Sequence, residues 1–297
     1  MIRTTPPRPV DVETLFPEVA AYRKEAIRLH PRAGRPGVLD SSVGGPLLWP
    51  AGEPWPHCAD DHPETGRAPD GPGPRPMVPV LQLFASDVPG LPFPEGTDVL
   101  QLLWCPFDHK PHHTPRPELR WRGTVASAGD MAVAPWVEDA VDEYVPEPCL
   151  VHPEPIVEYP CHDLPEDLYD GLAERFDRLR RDTGWSYQYH LSVAPGIKTG
   201  GHPGWTQDPD WPDCAECGER MEHLLTVDSA EFDGESWRSW LPAEDTPRTG
   251  TVRDLPYEER GRIQRAPGLM LGDMGGVYLF LCRRCPGMPY DYRADCS

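Results

Sequence analysis

The chain contains no run of about eighteen apolar residues, so no membrane span is expected. Its opening, MIRTTPPRPVDVETLF, has no apolar stretch of the secretory kind. Basic charge is scarce: 28 Lys and Arg stand against 48 Asp and Glu, a net charge of −20. That balance lacks the basic footprint of a nucleic-acid binder and disfavours docking on anionic lipid. It serves solubility or selects a basic partner. Standard catalytic patterns are missing too. There is no G-x-S-x-G elbow, no H-E-x-x-H, no phosphate loop and no G-x-G-x-x-G. Hydrophobic residues make up only 38% of the chain.

Proline is plentiful, at 40 of 297 residues. It excludes long helices and central strands wherever it falls, so short elements joined by long ordered loops are expected. The length suits one large domain or two smaller ones. The expected compartment is the cytoplasm, where thiols stay reduced. The nine cysteines then point to metal before disulfides.

Four of those cysteines form two matched pairs. WPDCAECGERMEHLLTVDS carries Cys214 and Cys217, and GGVYLFLCRRCPGMPY carries Cys282 and Cys285. A C-x2-C knuckle delivers two sulfurs from one tight turn, and two knuckles complete a zinc tetrahedron. Gly218 and Pro286–Gly287 supply turn chemistry. About 64 residues lie between Cys217 and Cys282, so the metal would staple two distant segments of a larger sheet. A redox pair should open a helix after a strand. Here DPDWPD precedes Cys214 and a proline follows Cys285. A site filled by four sulfurs stabilises and does not catalyse.

The chain also reads as a degenerate duplication, over about 43–109 and 199–287. Both halves run Gly-Gly, Trp-Pro-x-Cys, Met plus strand, then strand plus Cys. Cys58 then matches Cys214 and Cys105 matches Cys282. The partner cysteines are missing, but His62 and His109 follow at C-x3-H. Cys58, His62, Cys105 and His109 therefore form a second zinc candidate, with His112 and His113 as competitors for the fourth place. The alternative is a decayed copy without metal.

Periodicity predicts helices over 11–29 and 165–182. Strands are expected at 78–85, 98–104, 222–229 and 276–282, and near 118–126, 131–136 and 187–194. Segments 59–76 and 241–267 read as loops. The sum is an α+β fold with mainly antiparallel sheet and few short helices. We divide it into an N-terminal helix and arm (1–40), a first repeat half (41–150) and a helix plus second half with the knuckles (151–297). The halves are expected to pack as one compact unit.

KTGGHPGWTQDPDWPDC, MEHLLTVDS and GGVYLFLC resemble the YwqG-like family of uncharacterised bacterial proteins. Lys198, Gly200, Gly201, Pro203, Trp205, Asp228, Gly276, Tyr278 and Phe280 carry the likeness, with Gly275 in register for the late motif. VGGPLLWPAGEPWP is similar to that family's early motif through Gly44, Gly45, Pro46, Trp55 and Pro56. CAECGERMEHLL resembles, more distantly, the programmed cell death protein 2 family, whose members are regarded as chaperones of a ribosomal protein. The glycine pairs themselves read as turns needing positive φ or close backbone approach.

Function is read from what remains. Cys161–His162 reads as two loop residues, because adjacent side chains point apart. The acidic run 136–147 reads as a solvated face, and His223 as facing solvent or standing behind the zinc ligands. Trp49, Trp55, Trp205 and Trp211, with Trp237 and Trp240, either cap a thin core or form a partner surface. The expectation is a non-enzymatic zinc protein that binds another protein, a basic one by charge. Two alternatives stay open: an enzyme with a water-bearing zinc site in the first half, and a toxin-immunity-type binder.

Overall fold

We describe a computed structural model covering residues 2–60, 62, 69, 71, 73–125 and 129–296. Parts of two sequence readings, the loop at 59–76 and the strand near 118–126, lie outside the described residues. The fold is α+β and mainly antiparallel.

Short apolar runs between Gly and Pro turns give fourteen strands among the described residues. They are β1 (Lys24–Arg28), β2 (Arg32–Ala33), β3 (Ser42–Val43), β4 (His57–Cys58), β5 (Arg75–Pro76), β6 (Val78–Phe84) and β7 (Val99–His109). Then follow β8 (Thr114–Arg122), β9 (Cys149–Leu150), β10 (Glu154–Glu158), β11 (Lys198–Gly200), β12 (Glu222–Asp228), β13 (Gly276–Leu281) and β14 (Tyr290–Asp295). One six-stranded sheet runs β2-β9-β3-β6-β7-β8, and the other β10-β1-β11-β12-β13-β14.

The two orders correspond strand for strand. In each sheet a short strand ending at a Gly-Gly pair, β3 or β11, leads into a three-strand meander. The flanking strands cross over: β1, which precedes the first repeat, lies beside β11, and β9, which lies between the two repeats, sits beside β3. β14 meets β8 at the seam between the sheets. One apolar core runs through both, from Leu81, Leu102 and Trp104 to Leu225, Val277 and Leu279. Strands β7 and β13 are buried along their whole length, as central strands covered on both faces must be.

Three local readings are corrected. The 11–29 segment is not one helix. α1 spans only Val12–Leu15, a 3-10 turn covers Pro17–Tyr22, and the chain then enters β1. Of the stripe Leu15, Val19, Tyr22 and Ala26 expected for a helix, Val19 and Ala26 are buried but Leu15 and Tyr22 are exposed, while Val12 and Phe16, off the stripe, are buried, so no single helical face meets the core. Ladders to β10 and β11 on both sides of β1 outweigh helical periodicity. Residues 187–194 hold a single π-type turn, Tyr187–Leu191, instead of a strand. Its Tyr187 ring stacks on Phe176 with centroids 4.1 Å apart. Segment 131–136 makes one bridge, Met131 to Pro50, and leaves Trp136 exposed.

The second helix is α2, Glu166–Thr183, buried through Leu172 and Leu179 and stopped by Gly184 at φ 74°. The loop reading of 241–267 omits α4 (Tyr257–Gln264), a helix with no buried residue and so no apolar stripe to read. A shorter helix, α3, spans Trp237–Trp240. No helix among the described residues is long and apolar enough to cross a membrane.

Candidate metal centres

The second-half pairs converge from two turns. The first knuckle is closed by Cys214 N–H donating to Glu219 O and Gly218 N–H donating to Cys214 O, both 2.8 Å. Gly218 takes φ 71°, which favours glycine. The second knuckle starts where β13 ends. Cys282 N–H donates to Pro289 O at 2.9 Å, and Gly287 takes φ 82°.

Cys214 Sγ lies 3.8 Å from Cys285 Sγ, and Cys217 Sγ lies 3.7 Å from Cys282 Sγ. A sulfur pair in a disulfide would stand about 2.05 Å apart. Two corners of a zinc–thiolate tetrahedron, with bonds of about 2.3 Å, stand about 3.8 Å apart. All four sulfurs lie within 4.8 Å of one another. Trp205, Met221, Tyr278 and Phe280 pack beneath them. Burial acts to raise the Cys282 thiol, but main-chain N–H groups of Cys285 and Arg284, together with the Cys214 and Cys217 thiols, bring it down to about 7. Such N–H bonds favour the thiolate that a metal needs.

The first-half quartet also converges. Cys58 sits on β4, paired with β5. Cys105 and His109 sit on β7, where the ladder to β8 loses register between them. In a regular strand, residues four apart share a face but stand about 13 Å apart. Here the break in register lets the strand bend and bring both to one point. His62 Nε2 lies 3.2 Å from Cys105 Sγ, and Cys58 Sγ lies 3.9 Å from His109 Nε2. The four ligand atoms lie within 4.8 Å of one another. Contact with the Cys105 thiol, then with His109 and His62, holds Cys58 down to about 4. The same contact and burial push Cys105 up. Two thiolates and two imidazoles form a set that suits zinc.

The competitors stand elsewhere. The His112 ring packs on Tyr292 at 5.4 Å, and His113 turns the hairpin at φ 51°. Asp60, missed in the sequence, lies 3.9 Å from His109 Nδ1, the nitrogen facing away from the cluster, and pairs with Arg116. It gave no signal because it sits in a polar loop.

Other singled-out residues take structural places. Trp49 and Trp205 are buried, so of the two readings, core cap or partner surface, they take the core one. Trp49 Nε1 donates to Glu53 O at 3.2 Å, and half-buried Trp55 donates to Met77 O at 2.8 Å. Trp205 and Trp211 both donate to Asp163 Oδ1, at 3.1 and 2.7 Å. Trp240 is buried, its indole donating to Tyr189 O. Trp237 packs with Phe232 and Leu241. Cys161 is buried, and burial pushes its thiol up to about 12, which suits no nucleophile. His223 does not face solvent. Its Nδ1–H donates to Gly200 O at 2.9 Å, so Nε2 accepts from Thr226 Oγ1 at 3.0 Å.

Of the family-like motif, Lys198 belongs to a buried ion pair, Gly201 packs against that pair, and half-buried Asp228 accepts from Ala230 N–H and Gly196 N–H. Lys198 Nζ lies 2.5 Å from Glu158 Oε1, with both side chains fully buried. Glu158 also accepts from Ala194 N–H and His202 N–H. The chain matches no protein-family model and no curated protein, so both centres are read from their own ligands and distances.

Proposed function

We propose that the protein is a zinc-stabilised, non-enzymatic interaction protein with one metal staple in each half of a duplicated fold. The observation that carries the reading is the closure of both ligand sets. Each cluster offers four protein atoms within 4.8 Å of one another. Four protein ligands leave no place for the water that catalytic zinc activates. The matched strand orders support the duplication, because Cys105 lies on β7 and Cys282 directly follows β13, the strand in the same place of the other sheet.

The interaction part rests on charge. A net charge of −20 favours a basic partner. The YwqG-like resemblance is part of this proposal, and the likeness to ribosomal-protein chaperones agrees with it in partner chemistry. Elemental analysis of tag-free protein purified without added metal tests the zinc reading. Two zinc atoms per chain are expected. One would leave the first half as a decayed copy, and none would overturn the metal reading.

A further inference from the structure

The two centres differ in what solvent reaches. In the four-cysteine centre Cys217 is exposed and Cys285 half-buried, while Cys214 and Cys282 are buried. In the first-half centre both thiols, Cys58 and Cys105, are buried. The chain path explains the contrast. Cys217 stands on the outer turn of the first knuckle, between exposed Glu216 and Gly218. Cys105 lies within β7, which is buried along its whole length, and Cys58 packs into the same core. Access decides which cysteines an oxidant attacks.

Each outward sulfur of the four-cysteine centre also faces a buried sulfur of the other knuckle. Cys217 Sγ lies 3.7 Å from Cys282 Sγ, and Cys285 Sγ lies 3.8 Å from Cys214 Sγ. A disulfide holds its sulfurs about 2.05 Å apart, so Cys217 and Cys282 need to approach by about 1.7 Å. A turn of the exposed Cys217 side chain covers that distance.

We propose that Cys217 is an oxidation site, where hydrogen peroxide replaces the zinc staple with a disulfide between Cys217 and Cys282. The inference deepens the zinc reading above and rests on it. The Cys217 thiolate attacks one peroxide oxygen, the O–O bond breaks and hydroxide leaves, giving a sulfenic acid. The Cys282 thiolate then attacks that sulfur and expels a second hydroxide, closing the S–S bond. The two sulfurs give up two electrons, the peroxide takes them, and two protons from solvent turn the hydroxides into water. With two of its four thiolates gone, the centre no longer holds zinc. The distant segments stay joined, because the new bond runs from one knuckle to the other. A disulfide inside either knuckle would leave them unlinked.

The test treats full-length protein with hydrogen peroxide after its zinc content has been measured. A chromogenic chelator follows released zinc, and mass-spectrometric peptide mapping without reduction identifies the disulfide. One zinc per chain should leave first, in step with a Cys217–Cys282 disulfide, while Cys58 and Cys105 stay reduced. Cys217→His keeps a zinc ligand but offers no thiol, and should slow release at least about tenfold. Cys296→Ser, at the half-buried C-terminal thiol, should leave the rate unchanged. The oxidised protein should melt above reduced protein stripped of zinc, because the cross-link restricts the unfolded chain. A first disulfide within one knuckle, or between Cys58 and Cys105, would overturn the proposal. An oxidised protein melting no higher than the stripped one would overturn it too. Mapping uses the native protein and does not depend on the folding of any variant. Protein isolated without zinc that still forms the Cys217–Cys282 bond would overturn the metal reading and leave the oxidation site standing.

Discussion

Cys217 Sγ and Cys282 Sγ lie 3.7 Å apart although 65 positions separate them in the chain. Nothing local holds them together. The strand pair β12–β13 brings their segments side by side, and the two knuckle turns aim the sulfurs at one point. The exposed ion pairs across the knuckles, Arg284–Glu219 and Arg283–Glu222, add little in water. Metal is the strongest available link.

Cys282→Ser should therefore remove one zinc per chain and destabilise the protein by more than about 4 kcal/mol, the scale of a lost structural metal. His62→Ala should remove the other zinc and leave the four-cysteine centre loaded. Elemental analysis with thermal unfolding of each variant checks both. Full zinc retention in Cys282→Ser would be incompatible with the staple.

The buried Lys198–Glu158 pair predicts an asymmetric cost. Removing one partner strands a charge inside the fold, so Lys198→Met should cost about 3–5 kcal/mol. Lys198→Met combined with Glu158→Gln should cost less than the sum of the single changes, because the stranded carboxylate is gone. Urea unfolding of the four proteins in this cycle measures the coupling, expected to exceed about 1 kcal/mol.

Gly201 predicts a steric failure. It takes φ 67°, and a Cβ there would come within 2.2 Å of Glu158 Oε2 and 2.8 Å of the Ala26 Cβ. Gly201→Ala should destabilise by about 2–4 kcal/mol. Gly52→Ala, with no atom within 4 Å of the new methyl, should stay within about 0.5 kcal/mol of the native protein. Equal denaturation midpoints for the two variants would contradict this account.

Asp228 predicts a pH signature. Burial, then the Glu231 charge, raises its carboxyl to about 7, against the Ala230 and Gly196 N–H groups and the Lys198 ammonium, which lower it. The folded protein holds this proton where the unfolded chain has released it. The group's contribution is therefore full below about pH 4 and is lost as pH rises through about 7. Partial exposure brings the loss to about 2–3 kcal/mol. His202 works in the opposite sense: burial, then the Lys24 charge, lowers its imidazole to about 3. The difference between Asp228→Asn and the native protein isolates the carboxyl. It should move in favour of the variant between about pH 4 and 7 and stay level above that. Unfolding free energies taken at one-unit steps check it, and a flat difference would remove the raised carboxyl.

Much of the metal chemistry was readable because its spacing is local. Two C-x2-C pairs and two C-x3-H pairs named all eight residues that gather in the structure. The four central strands were legible for the same reason, as continuous apolar runs between Gly and Pro. The N-terminal segment was not. Residues 24–28 follow a helical stripe by count, and their strand state comes from partners more than a hundred positions away.

By itself the sequence determined the ligand types, the turns that present them and the acidic surface, because these follow from the residues and their near neighbours. Tertiary structure alone decided which histidines join Cys58 and Cys105, that Trp49 and Trp205 are core, and that Lys198 meets Glu158. Each of these depends on distant strands meeting in a particular register, and register is set by burying one continuous core between two sheets.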